Sequence, residues 1–202
     1  MSAEQISYYA TAGAFVTIVL LWFGFAATFL TRSRPGSSTD AAKAPRSWVG
    51  LILQSLAYMP VWAMRRVPVF SPLIEDCFAL NIVLQIVAVI LAASSVWLVM
   101  EAINELGRQW SLEARLIEGH TLVTTGVYRI VRHPIYTAML GMLVATGIAF
   151  SRWYVLLVSV AVFVVGTRIR TVFEERLLHE AFGQEFEDFR AKVPGLIPFL
   201  KA

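Results

Sequence analysis

Five apolar stretches separated by polar segments organise this 202-residue chain. Residues 8–30 are apolar over a length that suits a helix crossing a hydrocarbon core of roughly 20 residues. Residues 48–64 form a shorter run, with Pro60 near its end and Arg65 and Arg66 closing it; a proline there kinks or ends a helix. Residues 77–100 are the third run. Residues 135–150 and 153–167 follow, separated only by Ser151 and Arg152, a spacing that predicts a tight helical hairpin. Gly141 and Ala145 sit four apart in it, the small-residue spacing that lets membrane helices approach closely. Polar segments fill the rest: a linker at 31–47 centred on Pro35-Gly36-Ser37-Ser38, a short loop at 67–76, and a long segment at 101–132. Beyond Arg168 a charged, helix-prone tail runs to Ala181, breaks at Phe182-Gly183, and ends irregularly around Pro194 and Pro198. The pattern predicts an all-α membrane protein of five transmembrane helices. Residues 1–100 carry three spans with linkers, and residues 101–202 form a loop, the short hairpin of spans 4 and 5, and a helical cap.

Composition agrees. The chain is 57% hydrophobic and 15% charged, where soluble domains carry about 25% charged residues. The first span lacks a basic leader and is too long for a secretory signal. Lysine and arginine fall unevenly across the predicted topology, 14 on the side of the first linker, third loop and tail against 3 on the other. The positive-inside rule then puts the N-terminus outside and the C-terminus in the cytosol. The net charge of +3 is therefore a topology signal and not a nucleic-acid patch. None of the five runs contains a charged residue, which argues against an ion or substrate channel through them. The single cysteine, Cys77, excludes an internal disulfide, and the acidic Glu75 and Asp76 beside it are the wrong neighbours for a thiolate nucleophile.

The chemistry concentrates in residues 120–136, His-Thr-Leu-Val-Thr-Thr-Gly-Val-Tyr-Arg-Ile-Val-Arg-His-Pro-Ile-Tyr. A polar, turn-rich island between greasy runs must be solvated or line a site, because bare backbone is not tolerated in lipid. Gly126 permits a close approach. Tyr128 and Tyr136 offer flat faces with hydroxyl tips. Arg129 and Arg132 offer forks suited to carboxylate or phosphate. His133 is held out of helical geometry by Pro134, which can open the fourth helix. An ordinary juxtamembrane loop has much of this composition too. In the tail, Glu174 and Glu175 lie just past the fifth run, with Arg170 one turn before, a pairing that ordinarily marks a solvated face. His179 lies four beyond Glu175, but no second such pair supplies the ligands a metal needs, so no metal is expected.

In order, His-x-Leu-Val-Thr-x-Gly-x-Tyr-x-x-x-Arg-His-Pro-x-Tyr, two membrane runs, Glu-Glu-x-x-Leu, Phe-Gly and a Val-Pro-x-x-x-Pro ending resemble the isoprenylcysteine carboxyl methyltransferase family, relatives of membrane phospholipid methyltransferases. The resemblance covers residues 106–201. It implies an integral-membrane methyltransferase using S-adenosylmethionine, with residues 101–202 as its core. By the same resemblance His120, Leu122, Val123, Gly126, Tyr128, His133, Pro134 and Tyr136 bind the cofactor, and Glu174 and Glu175 close the pocket. Phe186 and Phe189 stand where family members carry tyrosines. The segment 107–110 resembles bacterial members more than eukaryotic ones, a departure that counts against an isoprenylated-protein substrate; the expected location is a bacterial inner membrane, with the site on the cytosolic side.

The expected acceptor is lipophilic, a prenylcysteine-like carboxylate drawn from membrane lipids. A carboxylate is already a nucleophile and needs only alignment and desolvation, with Arg170 or Arg115 to hold it and Glu175 beside them. An amine acceptor would instead need a base, Glu175 or His133. A sterol-reductase-like enzyme binding a nicotinamide cofactor, and a small transporter or scaffold, are the other readings. Acceptor identity and oligomeric state are not encoded in any pattern found.

Overall fold

A computed structural model describes residues 2–31, 40–43, 47–68, 70–74, 77–112 and 115–198. Arg32, Arg34, Arg46 and the Pro35–Ser38 turn of the first linker lie outside the described residues, as do Glu75, Asp76 and Lys201. Among those described, six α-helices form the body: α1 (Ala3–Thr31), α2 (Trp48–Ala63), α3 (Phe78–Leu106), α4 (Pro134–Phe150), α5 (Trp153–Phe182) and α6 (Gln184–Lys192). A short antiparallel pair, β1 (Asp40–Lys43) and β2 (Arg115–Ile117), joins the first linker to the segment ahead of the island. The sequence pattern gave no sign of that pairing.

Three of the helices are long and apolar enough to cross a membrane: Glu4–Thr31, Phe78–Gln109 and Trp153–Phe182. Together with the composition they make this a membrane protein. The other two apolar helices are shorter, α2 with 16 residues and α4 with 17, about 25 Å of rise each. The helix count matches the five apolar runs, but two lengths differ from the sequence reading. α3 continues through Glu101–Leu106, expected to be loop, because Ala102 and Ile103 are buried there; Gly107, at φ 53°, then ends it. α5 runs unbroken from its apolar half into the charged segment and stops at Gly183, φ 51°. Pro60 sits inside α2, which ends three residues later with Met64 N–H donating to the Pro60 carbonyl.

α4 is the centre of the bundle. α1 packs on α3 and α4, α2 on α5 and α4, and α3 along the whole of α4. A Cβ at Gly141 would collide with Ser95 Oγ on α3, as its spacing to the buried Ala145 led one to expect. The closest backbone approach lies elsewhere, where α2 crosses α5. A Cβ on Gly166 would lie 2.8 Å from the Gly50 carbonyl oxygen and 3.0 Å from Gln54 N. Gly166→Leu must therefore push the two helices apart, and it is expected to destabilise the protein by about 1–3 kcal/mol, read as a lower melting midpoint in detergent.

Polar side chains tie the apolar faces together, as expected where lipid gives helices no hydrophobic reason to associate. Trp22 Nε1 donates to Thr146 Oγ1 at 3.0 Å, Gln54 Nε2 to Thr167 Oγ1 at 2.9 Å, and Tyr58 OH to the Met139 carbonyl at 2.6 Å. Asn81 Nδ2 reaches Ser7 Oγ at 2.7 Å. These bonds fix α1, α2 and α5 around α4 and so set the space between them.

Candidate functional site

The head of α4 is where the chain's polar segments converge. His133 takes a non-helical conformation (φ −123°, ψ 61°) ahead of Pro134, the first residue of α4, as the clash between a proline ring and its preceding residue requires. The C-terminal tail docks directly on this turn. Arg132 N–H donates to the Pro194 carbonyl at 2.9 Å and His133 N–H to Gly195 O at 3.0 Å, while Thr137 Oγ1 donates to Leu196 O at 2.6 Å. The charged half of α5 passes alongside and supplies Arg170, Glu174 and Glu175.

Two clusters result. In the first, Arg170 donates through Nε to Tyr136 OH at 2.7 Å and through a terminal nitrogen to the Leu112 carbonyl at 2.8 Å and Glu174 Oε1 at 3.2 Å. Tyr136 OH donates in turn to Glu174. Arg170 is 4% exposed, so the spacing that read as a solvated pair is a buried one. The charge is tolerable there because Nε and one terminal nitrogen find three acceptors, one of them the Glu174 carboxylate. In the second cluster, Glu175 accepts from Arg132 at 2.9 Å and 3.1 Å and from His133 Nε2 at 3.0 Å, with Arg190 3.6 Å away. His133 links the two: Nδ1 lies 3.7 Å from Glu174 Oε2 and the ring stacks on Tyr136.

Glu175 is thus the counter-ion that fastens the tail and the α4 head to α5. Removing one partner of a buried pair costs about 3–5 kcal/mol, and Glu175→Ala is expected to lower the melting midpoint strongly. A variant as stable as the parent in detergent would show that Glu175 does not hold these elements.

Beside the first cluster opens a cavity of about 720 Å³. Its polar end is lined by Arg115, His120, Tyr128, Arg132, His133, Tyr136, Arg170 and Glu174. Its other end is apolar and runs between two helices. Trp22, Phe25, Ala26, Phe29 and Leu30 of α1 form one wall, Leu51, Gln54, Ser55, Tyr58 and Trp62 of α2 form the other, and Met139 of α4 lies between. Trp22 meets Tyr58 and Trp62 edge-on, with centroids 5.3 and 6.0 Å apart, across the deep end. Ala26, Leu30 and Ser55 are exposed at the rim, so the apolar end is open toward the side of the bundle.

His120 Nδ1 and Gln54 Oε1, on residues that line the cavity, are buried without a hydrogen-bond partner among the described residues. Burial holds the His120 ring below its ordinary pKa, which favours the neutral form. Burial, and then the charges of Glu174 and Glu105, raise the pKa of the Tyr128 phenol, whose OH donates to the Ala102 carbonyl at 3.4 Å.

Of the residues singled out in the sequence, His120, Tyr128, His133, Pro134, Tyr136, Glu174, Arg170 and Arg115 share the cavity wall. Leu122, Val123, Gly126 and Glu175 are not on it. Val123 packs against Ala102, Val127 and Tyr128. Gly126, φ 54°, lies so close to α3 that a Cβ would collide with the Glu105 carboxylate, and the adjacent Thr125 Oγ1 donates to Glu105 at 3.0 Å. Arg129 is not on the wall either. His179 pairs with Glu187 at 2.9 Å. Phe186 is buried and Phe189 packs in the cluster with Tyr128. The aromatic walls from α1 and α2, together with Gln54 and Trp110, were missed by sequence reasoning. Their signal was faint: residues 22, 25, 26, 29 and 30 fall on one face of α1 at helical spacing.

Comparison with known proteins bears on this site. A family model described as phospholipid methyltransferase matches residues 83–185, which take in most of α3, the island, α4 and α5. Protein-S-isoprenylcysteine O-methyltransferase B of Arabidopsis thaliana is 34% identical over 104 residues, 49% of this chain and 51% of that protein. A probable protein-S-isoprenylcysteine O-methyltransferase of Oryza sativa subsp. indica is 36% identical over 85 residues, 41% of this chain and 43% of that one. The chain spans about half the length of the curated relatives it matches.

Proposed function

Because the chain belongs to the phospholipid methyltransferase family, we propose that it is a membrane methyltransferase that uses S-adenosylmethionine to esterify the carboxylate of a prenylcysteine-like, lipophilic acceptor. The observation that carries this reading is the single cavity of about 720 Å³ with a charged end and an apolar end open between α1 and α2. A water-soluble, cationic methyl donor and a lipid-like acceptor need such unlike surroundings within bonding distance of each other. In the same reading α2 and α4 cross the bilayer as short spans, making five, with the N-terminus outside. The reacting end then faces the cytosol of a bacterial inner membrane, and residues 101–202 carry the reaction.

The residues present suit the donor. Glu174 offers a carboxylate to a cationic ligand, and His120 Nδ1 is a buried acceptor that a ribose hydroxyl or an amino group would satisfy. Tyr128, Leu177 and Leu178 supply apolar wall beside them. S-adenosylmethionine contributes an electrophilic methyl group on a sulfonium. This chain's residues do the rest. Arg170 holds Tyr136 and Glu174 in place, so the carboxylate that meets the donor does not have to be ordered at the moment of reaction. Arg115 lies on the same wall and is the guanidinium we assign to the acceptor carboxylate, which attacks without a general base. Amine methylation fits less well: of the two candidate bases, Glu175 is held as an anion by Arg132 and His133 away from the cavity wall, and His133, on the wall, has its Nε2 turned to Glu175.

Purified protein incubated with methyl-labelled donor and N-acetyl-farnesylcysteine is expected to give a lipophilic product whose label is released by mild base, as an ester's is. Label that survives base, or is absent altogether, overturns the carboxylate reading.

A further inference from the structure

At the far end of α4, 17 residues from the candidate site and so about 25 Å from it, a second constellation has no part in methyl transfer. Arg66 follows α2, is 6% exposed, and wraps the end of α4. Its terminal nitrogens donate to the carbonyls of Ser151 at 2.8 Å, Ile148 at 3.3 Å and Ala149, and its N–H to Phe150 O at 3.0 Å. That is a cap on the negative end of a helix. It leaves Nε buried with no hydrogen-bond partner, and no carboxylate among the described residues pairs with the guanidinium. Burial lowers the Arg66 pKa to about 10, which keeps the group cationic at neutral pH.

α5 starts at the same place. Arg152 is its N-cap and makes no capping hydrogen bond through its side chain, so the first N–H groups of a 30-residue helix have no partner from that residue. Between these two features lies a cavity of about 210 Å³ lined by Arg66, Ser71, Arg152 and Tyr154, with Val67 and Trp153 on its flank. Val67 and Trp153 are 79% and 61% exposed. Aromatic and apolar residues so placed, at the ends of membrane helices, belong at the lipid–water boundary.

We propose that this cavity binds the phosphate group of a membrane phospholipid, on the face opposite the methyl-transfer site. Phosphate oxygens accept from the Arg152 guanidinium and the N–H groups at the start of α5, beside the buried charge of Arg66, the arrangement of donors and helix dipole that favours an anion. The acyl chains continue along Val67 and Trp153 into the bilayer. A buried arginine with no carboxylate partner among the described residues and a helix start with no side-chain cap from Arg152 are independent observations, and one phosphodiester answers both.

Replacing Arg66 would also remove the cap of α4, so the test uses Arg152→Gln. Native mass spectrometry of the full chain in detergent would titrate dioleoylphosphatidylglycerol, dioleoylglycerol (the same chains without phosphate) and inorganic phosphate. The expected result is saturable binding of phosphatidylglycerol, none of dioleoylglycerol, and a roughly tenfold loss of affinity in Arg152→Gln. Displacement of the lipid by millimolar inorganic phosphate supports a site that reads the phosphate alone; no displacement supports one that also needs the chains. Equal binding of the two lipids, or an affinity unchanged by Arg152→Gln, overturns the proposal. Methyl transfer is not part of the readout, so the outcome is separate from that of the proposed reaction.

Discussion

Arg170→Met is expected to lower kcat/KM for methyl transfer by about 10³ while the protein remains folded in the membrane. Arg170 donates hydrogen bonds to both Tyr136 and Glu174, at 2.7 and 3.2 Å, and it also anchors the Leu112 carbonyl at 2.8 Å. Methionine keeps much of the side chain's apolar length and removes all three bonds. Hydrogen bonds to charged groups contribute about 1.5–3 kcal/mol each, and the loss of two at the reacting end corresponds to between 10² and 10⁴ in rate. Lysine recovers little, because a point charge cannot bridge three acceptors as a planar fork does. The effect should divide in an informative way: donor affinity, measured by equilibrium binding, weakens along with kcat because Glu174 loses its orientation. A folded Arg170→Met protein within tenfold of the parent would remove Arg170 from the mechanism.

Much of this architecture is visible in the sequence, and the reasons differ by region. The five apolar runs become the five apolar helices because hydrocarbon leaves a backbone no alternative to internal hydrogen bonds. The polar island and the charged start of the tail meet because the short α4–α5 hairpin returns the chain to its own starting level; Tyr136 and Glu174 are 38 positions apart and hydrogen-bonded. The division of labour between Glu174 and Glu175 is not legible. The two are adjacent and identical in type, and only the 100° step of a helix turns one toward the cavity and the other toward Arg132 and His133. Nor is the role of Gly126, whose positive φ is common to turns and to ligand cradles, and which here accommodates Glu105. The apolar groove is the least legible part. A helix face lining a greasy cavity and a face touching lipid have the same composition, so α1 shows no contrast that would separate Ala26, on the cavity wall, from Phe23, which is 69% exposed and off it. β1 and β2 were invisible for a different cause, since three or four residues of pairing leave no period to read.

That contrast between Ala26 and Phe23 supplies the strongest test of where the acceptor sits. Ala26 is exposed at the rim of the groove and also lines it, so a large side chain there can enter the groove without displacing the bundle. Ala26→Trp is expected to raise KM for a prenylcysteine acceptor by about 10², the equivalent of roughly 3 kcal/mol of lost binding or steric cost. Donor affinity should stay within twofold, because Arg170, Glu174 and His120 belong to the other end of the cavity. Ala27→Trp, the same change at an exposed position off the cavity wall, should leave both quantities unaltered. The comparison separates blocking from general disturbance of α1, which would affect both variants. It also separates the two ends of the cavity: equal loss of donor and acceptor binding in Ala26→Trp would mean that one ligand occupies the whole space. An acceptor KM unmoved by tryptophan at this position would mean that the lipid reaches the charged end by some path other than the gap between α1 and α2. In either case a single two-ended site could not explain how this chain brings an aqueous and a membrane-bound reactant together.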